Sequence, residues 1–341
     1  MPLARPPEDA GVPGRHRGRP RRRRGWATLG WGLVAAGALL LTLGAAPGVQ
    51  LVHPGLAAAA AFVPYGTVVW LAASAALVLA GGTLRRVAAL GALVAVGVHA
   101  LWTVPYWPRP APPPRPAQVT VFTANLYYGR ADVDALASVV ARHDPDVVVL
   151  QEVPQPTLAR LRVSSIATGR PHVMSAGQAP WGAEGSAIFS RFPLEPLASS
   201  AGAAGRGARF VVRVPGPGRP FTLVAVHTTN PLRDAAAWRA DLDAVGDVAA
   251  GWTAGPIVVA GDFNATLEHE PLRRLLADAV LADAAVQAGA GWLPTFPARR
   301  GLPLVGLDHI LVGGGVQAHA VWSVKVDGSD HRGLVARISM P

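Results

Sequence analysis

The sequence predicts a layered α/β domain preceded by three transmembrane helices. The first observation is that residues 25–84 contain no Asp, Glu, Lys or Arg. The second is that, from Gln118 onward, short apolar segments typical of strands alternate with segments typical of helices. The third is that polar residues follow several of these strands. Alternation favours a layered α/β fold, and polar residues at strand ends favour a functional site there.

The excess positive charge lies in the N-terminal third of the chain. Residues 1–117 hold 12 arginines against Glu8 and Asp9, whereas residues 118–341 hold 19 basic and 19 acidic residues. Residues 1–24 are rich in Pro, Gly and Arg and are predicted to form a disordered basic tail. Because residues 118–341 have no net charge, they lack the basic balance expected of a general nucleic-acid-binding domain. The chain has no cysteine, which excludes disulfides and thiolate chemistry.

Residues 25–104 are predicted to form three transmembrane helices. The apolar runs are 26–46, 56–80 and 87–104, and a helix needs about 20 residues to cross a bilayer core. Aromatic residues lie near the ends of the runs, as they do at membrane interfaces. A cleaved signal peptide would explain only the first run. Three buried core helices in series would exceed what a small soluble domain can hide.

The basic residues predict the orientation. The tail arginines and Arg85-Arg86 belong on the cytoplasmic side under the positive-inside rule, and three spans place these two segments on the same side. The chain beyond the third run then lies outside the cytoplasmic membrane, against the weaker opposing signal of Arg109 and Arg115. Residues 105–117 include seven prolines and are predicted to be a stiff linker. We therefore expect a multi-pass plasma-membrane protein with an extracytoplasmic domain at 118–341.

Residues 118–341 show the strand and helix pattern of that domain. Strands are predicted at 119–124, 147–150, 186–189, 209–214, 221–226, 257–260, 309–312, 321–326 and 334–338. Helices are predicted at 133–142, 157–162, 235–250 and 271–277.

The strand at 257–260 ends in Gly261-Asp262-Phe263-Asn264. Side chains two residues apart in an extended segment point the same way, so Asp262 and Asn264 can converge on one ligand. Asp and Asn also favour turns, and this pattern alone leaves a simple strand-to-loop turn open. Polar residues at the ends of other predicted strands strengthen the interpretation that Asp262 and Asn264 bind a ligand. These residues are Asn125, Glu152, His227, Asp308-His309 and Asp330-His331.

These residue types suit the hydrolysis of phosphate esters. Carboxylate and amide oxygens are hard ligands that fit Mg²⁺, with Mn²⁺ as the alternative ion. A histidine held by an aspartate has its tautomer fixed and its charged form favoured, which would offset the charge of a phosphate. The sequence has no HExxH, GxxxxGK[ST] or GxSxG motif, which argues against familiar zinc, P-loop and serine hydrolase sites.

Seven short motifs carry a family resemblance. In chain order they are Thr-Ala-Asn125, Gln151-Glu152, Ser-Ala-Ile-Phe-Ser-Arg at 186–191, His227-Thr228, Gly261-Asp262-Phe263-Asn264, Leu307-Asp308-His309-Ile310-Leu311 and Ser329-Asp330-His331-Arg332. Together they resemble the endonuclease/exonuclease/phosphatase family, which has the deoxyribonuclease I-like fold. The resemblance extends from about Val119 to Ile338 and implies a four-layered sandwich of two packed β-sheets flanked by helices. Membrane-anchored members of the family are similar in layout.

The resemblance implies metal-binding and water-activating residues. Glu152 resembles the principal Mg²⁺ ligand, with Asn125 and Asp330 close by. Asp262 and Asn264 resemble the pair that positions or deprotonates the attacking water, and Asn264 also touches the scissile phosphate.

The resemblance also implies two catalytic histidines. His331 resembles the histidine of the chemical step, and Asp308 the carboxylate that orients it. His227 resembles the second histidine, which binds the phosphoryl oxygens of the substrate. Glu184 stands where nucleases of the family keep a carboxylate paired with that second histidine.

Three functions follow from these expectations. The first is a membrane-anchored, Mg²⁺-dependent phosphoesterase acting on a lipid-linked or small phosphodiester, phosphomonoester or pyrophosphate, with the bilayer as its surroundings. The second is an extracytoplasmic metal-dependent nuclease, for which the neutral domain makes no strong case. The third is a non-enzymatic membrane protein with a degenerate domain, disfavoured because all of the expected catalytic residues are present.

Overall fold

The computed structural model describes residues 19–197, 208–252, 255–299 and 301–341. Its N-terminal helices are α1 (Arg19–Ala45), α2 (Pro54–Ala60), α3 (Gly66–Ala80) and α4 (Thr83–Trp102), with 3₁₀ turns at Pro47–Leu51, Val63–Tyr65 and Val104–Tyr106. The chain divides into two compact units. Among the described residues, one unit comprises 19–39 together with Tyr65–His99, and the other comprises Leu40–Pro64 and the described part of Ala100–Pro341.

Three helical segments are long and apolar enough to cross a membrane: Arg22–Ala45, Val63–Ala80 and Thr83–Trp102. Residues 19–24, predicted as part of the disordered tail, are helical because α1 begins at Arg19; residues 1–18 lie outside the described residues. The predicted run 56–80 is divided, since α2 ends at Ala60 and the second span begins at Val63. Pro64 explains the break, because proline lacks an N–H group and disfavours helical backbone in the residue before it.

Two six-stranded sheets form the centre of the second unit as the structure describes it. The strands are β1 (Gln118–Asn125), β2 (Val147–Gln151), β3 (His172–Ala176), β4 (Ser186–Ser190), β5 (Glu195–Pro196), β6 (Ala208–Val214), β7 (Phe221–His227), β8 (Ile257–Asp262), β9 (Ala282–Asp283), β10 (Asp308–Gly313), β11 (Gln317–Lys325) and β12 (Arg332–Ser339). The first sheet has the order β11-β12-β1-β2-β4-β3 and the second β5-β6-β7-β8-β10-β9.

Helices cover the outer face of each sheet. They are α5 (Val133–His143), α6 (Gln155–Arg162), α7 (Ser165–Gly169), α8 (Ala235–Ala250) and α9 (Glu270–Asp278). The short helix α10 (Ala284–Gln287) instead contributes Ala284 to the core between the sheets. Two of the longer ones begin at an aspartate cap: Asp132 accepts from the N–H groups of Asp134 and Ala135, and Asp234 caps α8 in the same way. Such caps satisfy N–H groups that the first helical turn leaves without a partner.

Three apolar cores define the layers. One core lies between the sheets, with Val121 and Val149 from the first facing Leu223 and Ile310 from the second. A second core packs α8 and α9 against the second sheet, and a third packs α5, α6 and α7 against the first. The architecture is therefore helices, sheet, sheet, helices, and the predicted four-layered α/β sandwich is confirmed.

The predicted elements all occur, with boundaries shifted by a few residues. Strands β3, β5 and β9 and helices α7 and α10 were not predicted from the sequence. Each spans five residues or fewer, which is too short to show a strand or helix period.

Candidate active site

Strand topology brings the polar strand ends to one edge of the sandwich. Strands β1 and β2 run parallel, as do β7 and β8, so the carboxyl ends of each pair lie side by side. Strand β10 runs antiparallel to β8 and places Asp308, its first residue, opposite Asp262. Strand β12 runs antiparallel to β1, which brings the Ser329–His331 turn to the same edge as Asn125.

Asp262 ends the central strand β8 and is 1% exposed. The Asp262 Oδ1 atom accepts a hydrogen bond from the Asn264 N–H at 2.8 Å, and the Asn264 amide donates to the Thr228 carbonyl at 3.0 Å. Asn264 has a left-handed backbone, with φ of +46°. Asp262 and Asn264 therefore converge by means of a tight turn, and not along one face of an extended segment as the sequence predicted.

Gly261 allows that turn to start inside the sheet. It has φ of +152°, and a Cβ atom there would lie 1.9 Å from the Val226 carbonyl oxygen on the neighbouring strand. Only glycine fits so close a backbone approach.

Glu152 and Asn125 form the next part of the site. The Asn125 amide nitrogen donates to Glu152 Oε1 at 3.0 Å and to Asp262 Oδ2 at 2.9 Å. Glu152 Oε2 accepts from the Tyr128 N–H at 2.6 Å. Burial raises the pKa of Glu152, while the hydrogen bonds from Asn125 and Tyr128 lower it. Asn125 thus holds two carboxylates close together that would otherwise repel each other.

His331 and Asp308 form a buried pair. The His331 Nδ1 atom lies 2.8 Å from Asp308 Oδ2, and His331 Nε2 lies 3.9 Å from Asp262 Oδ2. Burial lowers the pKa of His331, but the charges of Asp308 and Asp262 outweigh burial and raise the pKa to about 10. The imidazole is therefore a cation at neutral pH, held between two carboxylates.

A cavity of about 480 Å³ opens above these groups. The predicted residues that line it are Glu152, Glu184, His227, Asp262, Asn264, Asp330 and His331. The His227 Nε2 atom lies 3.8 Å from Glu152 Oε1, and the pairing of His227 with Glu184 stays a prediction. Asp330 is half-buried, and burial raises its pKa. The structure thus places seven of the predicted residues around one cavity, while Asn125 and Asp308 contact the lining residues Asp262 and His331 without lining the cavity themselves.

The sequence model that describes the endonuclease/exonuclease/phosphatase family matches residues 122–331 of this chain, and this range contains all of the predicted site residues. The chain belongs to that family. Family members are generally metal-dependent phosphoesterases and include phosphatases, phosphodiesterases and nucleases.

Solved structures share the fold at low sequence identity. The family protein from Bacteroides vulgatus is 20% identical, with 66% of this chain and 99% of that chain covered and a TM-score of 0.50. Humanized D. rerio TDP2 is 16% identical, with 65% and 99% covered and a TM-score of 0.51. None of the curated proteins compared with this chain matches it.

The donor set fits the divalent metal typical of the family. Carboxylates of Glu152, Asp262 and Asp330 line the cavity, and carboxylate oxygens are the ligands that Mg²⁺ prefers. Each Glu152 oxygen keeps lone pairs beyond the one that accepts a protein hydrogen bond. The Asn125 Oδ1 atom accepts from the Tyr127 N–H at 2.8 Å and keeps a second lone pair, so the role of Asn125 as a metal ligand stays a prediction.

Asp262, Asp308 and His331 also lie close enough together to hold an ion, with ligand atoms within 4.8 Å of one another. The Nδ1 atom of His331 is already hydrogen-bonded to Asp308, and its raised pKa favours the protonated ring. A protonated imidazole cannot ligate a metal. The hydrogen bond between His331 and Asp308 suits proton transfer, and the Asp262 and Asp308 carboxylates add to the acidic groups that could hold an ion.

Several supporting residues escaped the sequence analysis. The Thr295 hydroxyl oxygen accepts from the N–H groups of Leu307 and Asp308 at 3.1 and 3.3 Å. The Ser329 hydroxyl donates to the Asn125 carbonyl at 2.7 Å and accepts from the His331 N–H at 2.9 Å. Arg233 lines the cavity and adds a positive charge to its wall. Threonine, serine and arginine are common in loops, so their presence alone does not predict a functional role. Only Ser329 could have been singled out from the sequence, because it belongs to the motif that contains Asp330 and His331.

A second buried histidine–aspartate pair lies beside the first. The His309 Nδ1 atom lies 2.8 Å from Asp283 Oδ2, and His309 Nε2 lies 2.9 Å from the Ala265 carbonyl. Both ring nitrogens of His309 are thus engaged, and His309 does not line the catalytic cavity described here. This pair anchors the chain directly after Asn264.

Proposed function

We propose that this protein is a membrane-anchored, Mg²⁺-dependent phosphoesterase that hydrolyses a lipid-linked or small phosphate ester on the extracytoplasmic side of the plasma membrane. The observation that carries the proposal is a direct connection between the catalytic loop and the residues that join the first two candidate spans. The reaction class follows from the family, and the choice of substrate follows from this connection.

The connection lies in the segment after Asn264. The His269 Nε2 atom lies 2.8 Å from the Ala57 carbonyl oxygen. Gln50, fully buried, donates to the Glu268 carbonyl at 3.0 Å and accepts from the Glu270 N–H at 3.0 Å. Ala57 also belongs to the apolar core beneath α8 and α9. A site built this close to the ends of membrane spans favours substrates at the bilayer surface.

The contact between residues 46–62 and the segment after Asn264 also supports the predicted orientation of the chain in the membrane. Residues 46–62 join two candidate spans, and the catalytic residues follow the third. With three spans, both segments lie on one side of the membrane, and the basic tail and Arg85-Arg86 lie on the other. The positive-inside rule assigns the basic segments to the cytoplasm, which supports an extracytoplasmic active site.

The side chains divide the chemistry among them. Burial raises the pKa of Asp262, although the charge of His331 opposes this shift. Asp262 is placed to accept a proton from an attacking water, and the Asn264 amide orients that water. A raised pKa makes a carboxylate a better base. As the water attacks, the bond between phosphorus and the leaving oxygen breaks, and protonated His331 supplies the proton that this oxygen takes up. His227 steadies a phosphoryl oxygen. A bound divalent cation would be held by Glu152 and would neutralise phosphate charge.

Hydrolysis by the full chain in detergent tests the reaction. With added Mg²⁺, we expect cleavage of bis(p-nitrophenyl) phosphate, and faster cleavage of a lipid-linked phosphate or pyrophosphate than of single- or double-stranded DNA. Preference for DNA would indicate the nuclease instead. Complete inactivity on every substrate would indicate a degenerate domain.

Metal dependence is tested by Glu152→Gln. Loss of one ligand charge should raise the Mg²⁺ concentration needed for half-maximal activity, so that excess Mg²⁺ recovers part of the loss. Glu195→Gln, at an exposed carboxylate on an edge strand, is the matched control and should leave the metal titration unchanged. A Glu152→Gln enzyme with an unchanged metal titration would remove Glu152 from the metal site.

Membrane insertion and sidedness are tested by reporter fusions after Pro114. A reporter that requires export should be active there, and a reporter that requires the cytoplasm should be silent. The reverse pattern would place the active site in the cytoplasm. Full-length protein that stays soluble without detergent would contradict the membrane anchor itself.

A further inference from the structure

A second cavity, of about 490 Å³, lies in the unit that contains the catalytic domain. It shares no lining residue with the catalytic cavity among the residues that the structure describes. Its size and mostly apolar lining are those of a ligand pocket, which typically places a few polar groups in an apolar wall. Neither the sequence motifs nor the proposed reaction uses it.

Residues at the ends of the candidate spans form one wall of this cavity. Gly44, Val63 and Trp102 stand at the ends of the first, second and third spans, respectively. The Trp102 ring packs directly against Gly44, where an added Cβ would lie 2.3 Å from the indole. Tryptophan and span ends are typical of the membrane–water interface. This wall therefore lies where the chains and headgroups of bilayer lipids meet.

The opposite wall carries a buried carboxylate with an unused oxygen. Glu268 is 8% exposed, and its Oε1 accepts a hydrogen bond from the Tyr106 hydroxyl. Its Oε2 atom is buried and has no hydrogen-bond partner within the described part of the chain. A buried acceptor without a donor destabilises the fold, and more so when it is charged. A ligand with an N–H or O–H donor would remove that destabilisation.

The other polar groups in the wall restrict the chemical class of ligand that the cavity could bind. Asp283 also lines the cavity, but its two oxygens already accept from the Val286 N–H and contact His309. Arg273 lines the cavity and supplies a guanidinium group, which suits a phosphate. These features match a zwitterionic phospholipid. Glu268 can accept from its cation, Arg273 can pair with its phosphate, and the apolar wall can contact its acyl chains.

We propose that this cavity binds one phospholipid with a primary ammonium headgroup. The ammonium donates to the free oxygen of Glu268, the phosphate pairs with Arg273, and an acyl chain lies along Leu101 and Trp102. A quaternary ammonium carries the same charge but has no N–H group, so it cannot satisfy Glu268. The proposal rests on the membrane anchor proposed above and does not depend on the catalytic reaction.

Native mass spectrometry of the full chain in detergent tests this site. The chain is titrated with phosphatidylethanolamine, phosphatidylcholine and phosphatidylglycerol that carry identical acyl chains. We expect one phosphatidylethanolamine per chain, bound about tenfold more tightly than phosphatidylcholine, which is the size expected of one hydrogen bond to a charged group. Equal binding of the two, or tighter binding of phosphatidylglycerol, would overturn the proposal.

Two variants locate the site. Glu268→Gln removes the acceptor charge and should abolish the preference for phosphatidylethanolamine. Arg273→Gln should weaken the binding of phosphatidylethanolamine and of phosphatidylcholine equally, because both lipids carry the phosphate. Glu270→Gln is the matched control, since Glu270 lies two residues away, pairs with Arg274 and does not line the cavity. A preference that survives Glu268→Gln, or that is lost in Glu270→Gln, would contradict the assignment.

Lipid binding and hydrolysis are separate measurements. Full-length protein that is soluble without detergent would contradict the membrane anchor, whereas detergent-dependent protein without the lipid preference would contradict this site alone. Thermal unfolding of each variant shows that it is folded. Activity on a water-soluble phosphodiester should be unchanged in the control variant Glu270→Gln.

Discussion

Two buried histidine–aspartate pairs share strand β10 and serve different purposes: His309 of β10 contacts Asp283 of β9, whereas Asp308 of β10 contacts His331, which precedes β12 of the first sheet. In both, a histidine Nδ1 lies 2.8 Å from an aspartate Oδ2, and in both the histidine pKa is raised in spite of burial. They differ at the other ring nitrogen. The Nε2 atom of His309 is engaged by the Ala265 carbonyl, whereas that of His331 lies 3.9 Å from Asp262, and His331 lines the catalytic cavity.

The comparison teaches that a charged, aspartate-held histidine is not by itself a catalytic residue. Burial and an aspartate partner give the two rings the same protonation preference. Only a ring nitrogen that faces the cavity can exchange a proton with a substrate. His331 is therefore expected to act in the reaction, and His309 to hold the backbone that follows Asn264.

The largest expected effect is that of His331→Ala. Loss of the imidazole should lower kcat by about two to four orders of magnitude, the usual contribution of a general acid or base. The measurement is steady-state hydrolysis of bis(p-nitrophenyl) phosphate with saturating Mg²⁺. Near-normal kcat in this variant, together with inactive Asp262→Ala, would remove His331 from the chemical step and turn attention to His227.

A smaller effect is expected of Asp308→Asn, because the imidazole remains but loses the charge that orients it. We expect kcat to fall about ten- to a hundredfold, the range found for carboxylates that support a functional histidine. Asp283→Asn makes the same change behind His309 and is the matched control. If both variants lost activity equally, the distinction between the pairs would be wrong.

His309→Gln should change kcat by no more than a few fold and should mainly lower stability. The substitution breaks the contact with Asp283 and leaves a buried carboxylate oxygen without its partner, which costs about 1–3 kcal/mol. Thermal unfolding monitored by circular dichroism, with kcat measured below the transition, separates the two effects. A loss of kcat as large as that of His331→Ala, without loss of stability, would assign His309 to the reaction.

The smallest expected effect is a change in the pH dependence of stability. The pKa of His309 is raised in the folded state because the favourable contacts with Asp283 outweigh burial. Its contribution to stability is therefore fully present below the unfolded pKa of about 6.5 and is lost as pH rises through the folded pKa. From pH 6 to 9, the thermal midpoint should fall less steeply in His309→Gln than in the original chain. Parallel curves would mean that His309 is not charged in the folded state.

The sequence alone predicted the elements and the identity of most site residues. Apolar runs with a clear period predicted the strands and helices, and the motifs around Asn125, Glu152, Asp262 and His331 predicted one shared site. This worked because strand periodicity and residue chemistry are local properties. The short strands β3 and β9 were missed because too few residues show a period.

Tertiary structure alone decided which of the two neighbours Asp308 and His309 contacts the cavity-lining His331 and which ring nitrogens are engaged. Adjacent residues of a strand point to opposite faces, but the sequence does not state which face meets the substrate. Thr295 and Asp283 act through contacts across 13 and 26 residues, and no local pattern encodes such distances. The unused oxygen of Glu268 appears only once Tyr106 and the span ends pack around it, because burial is a property of the folded chain.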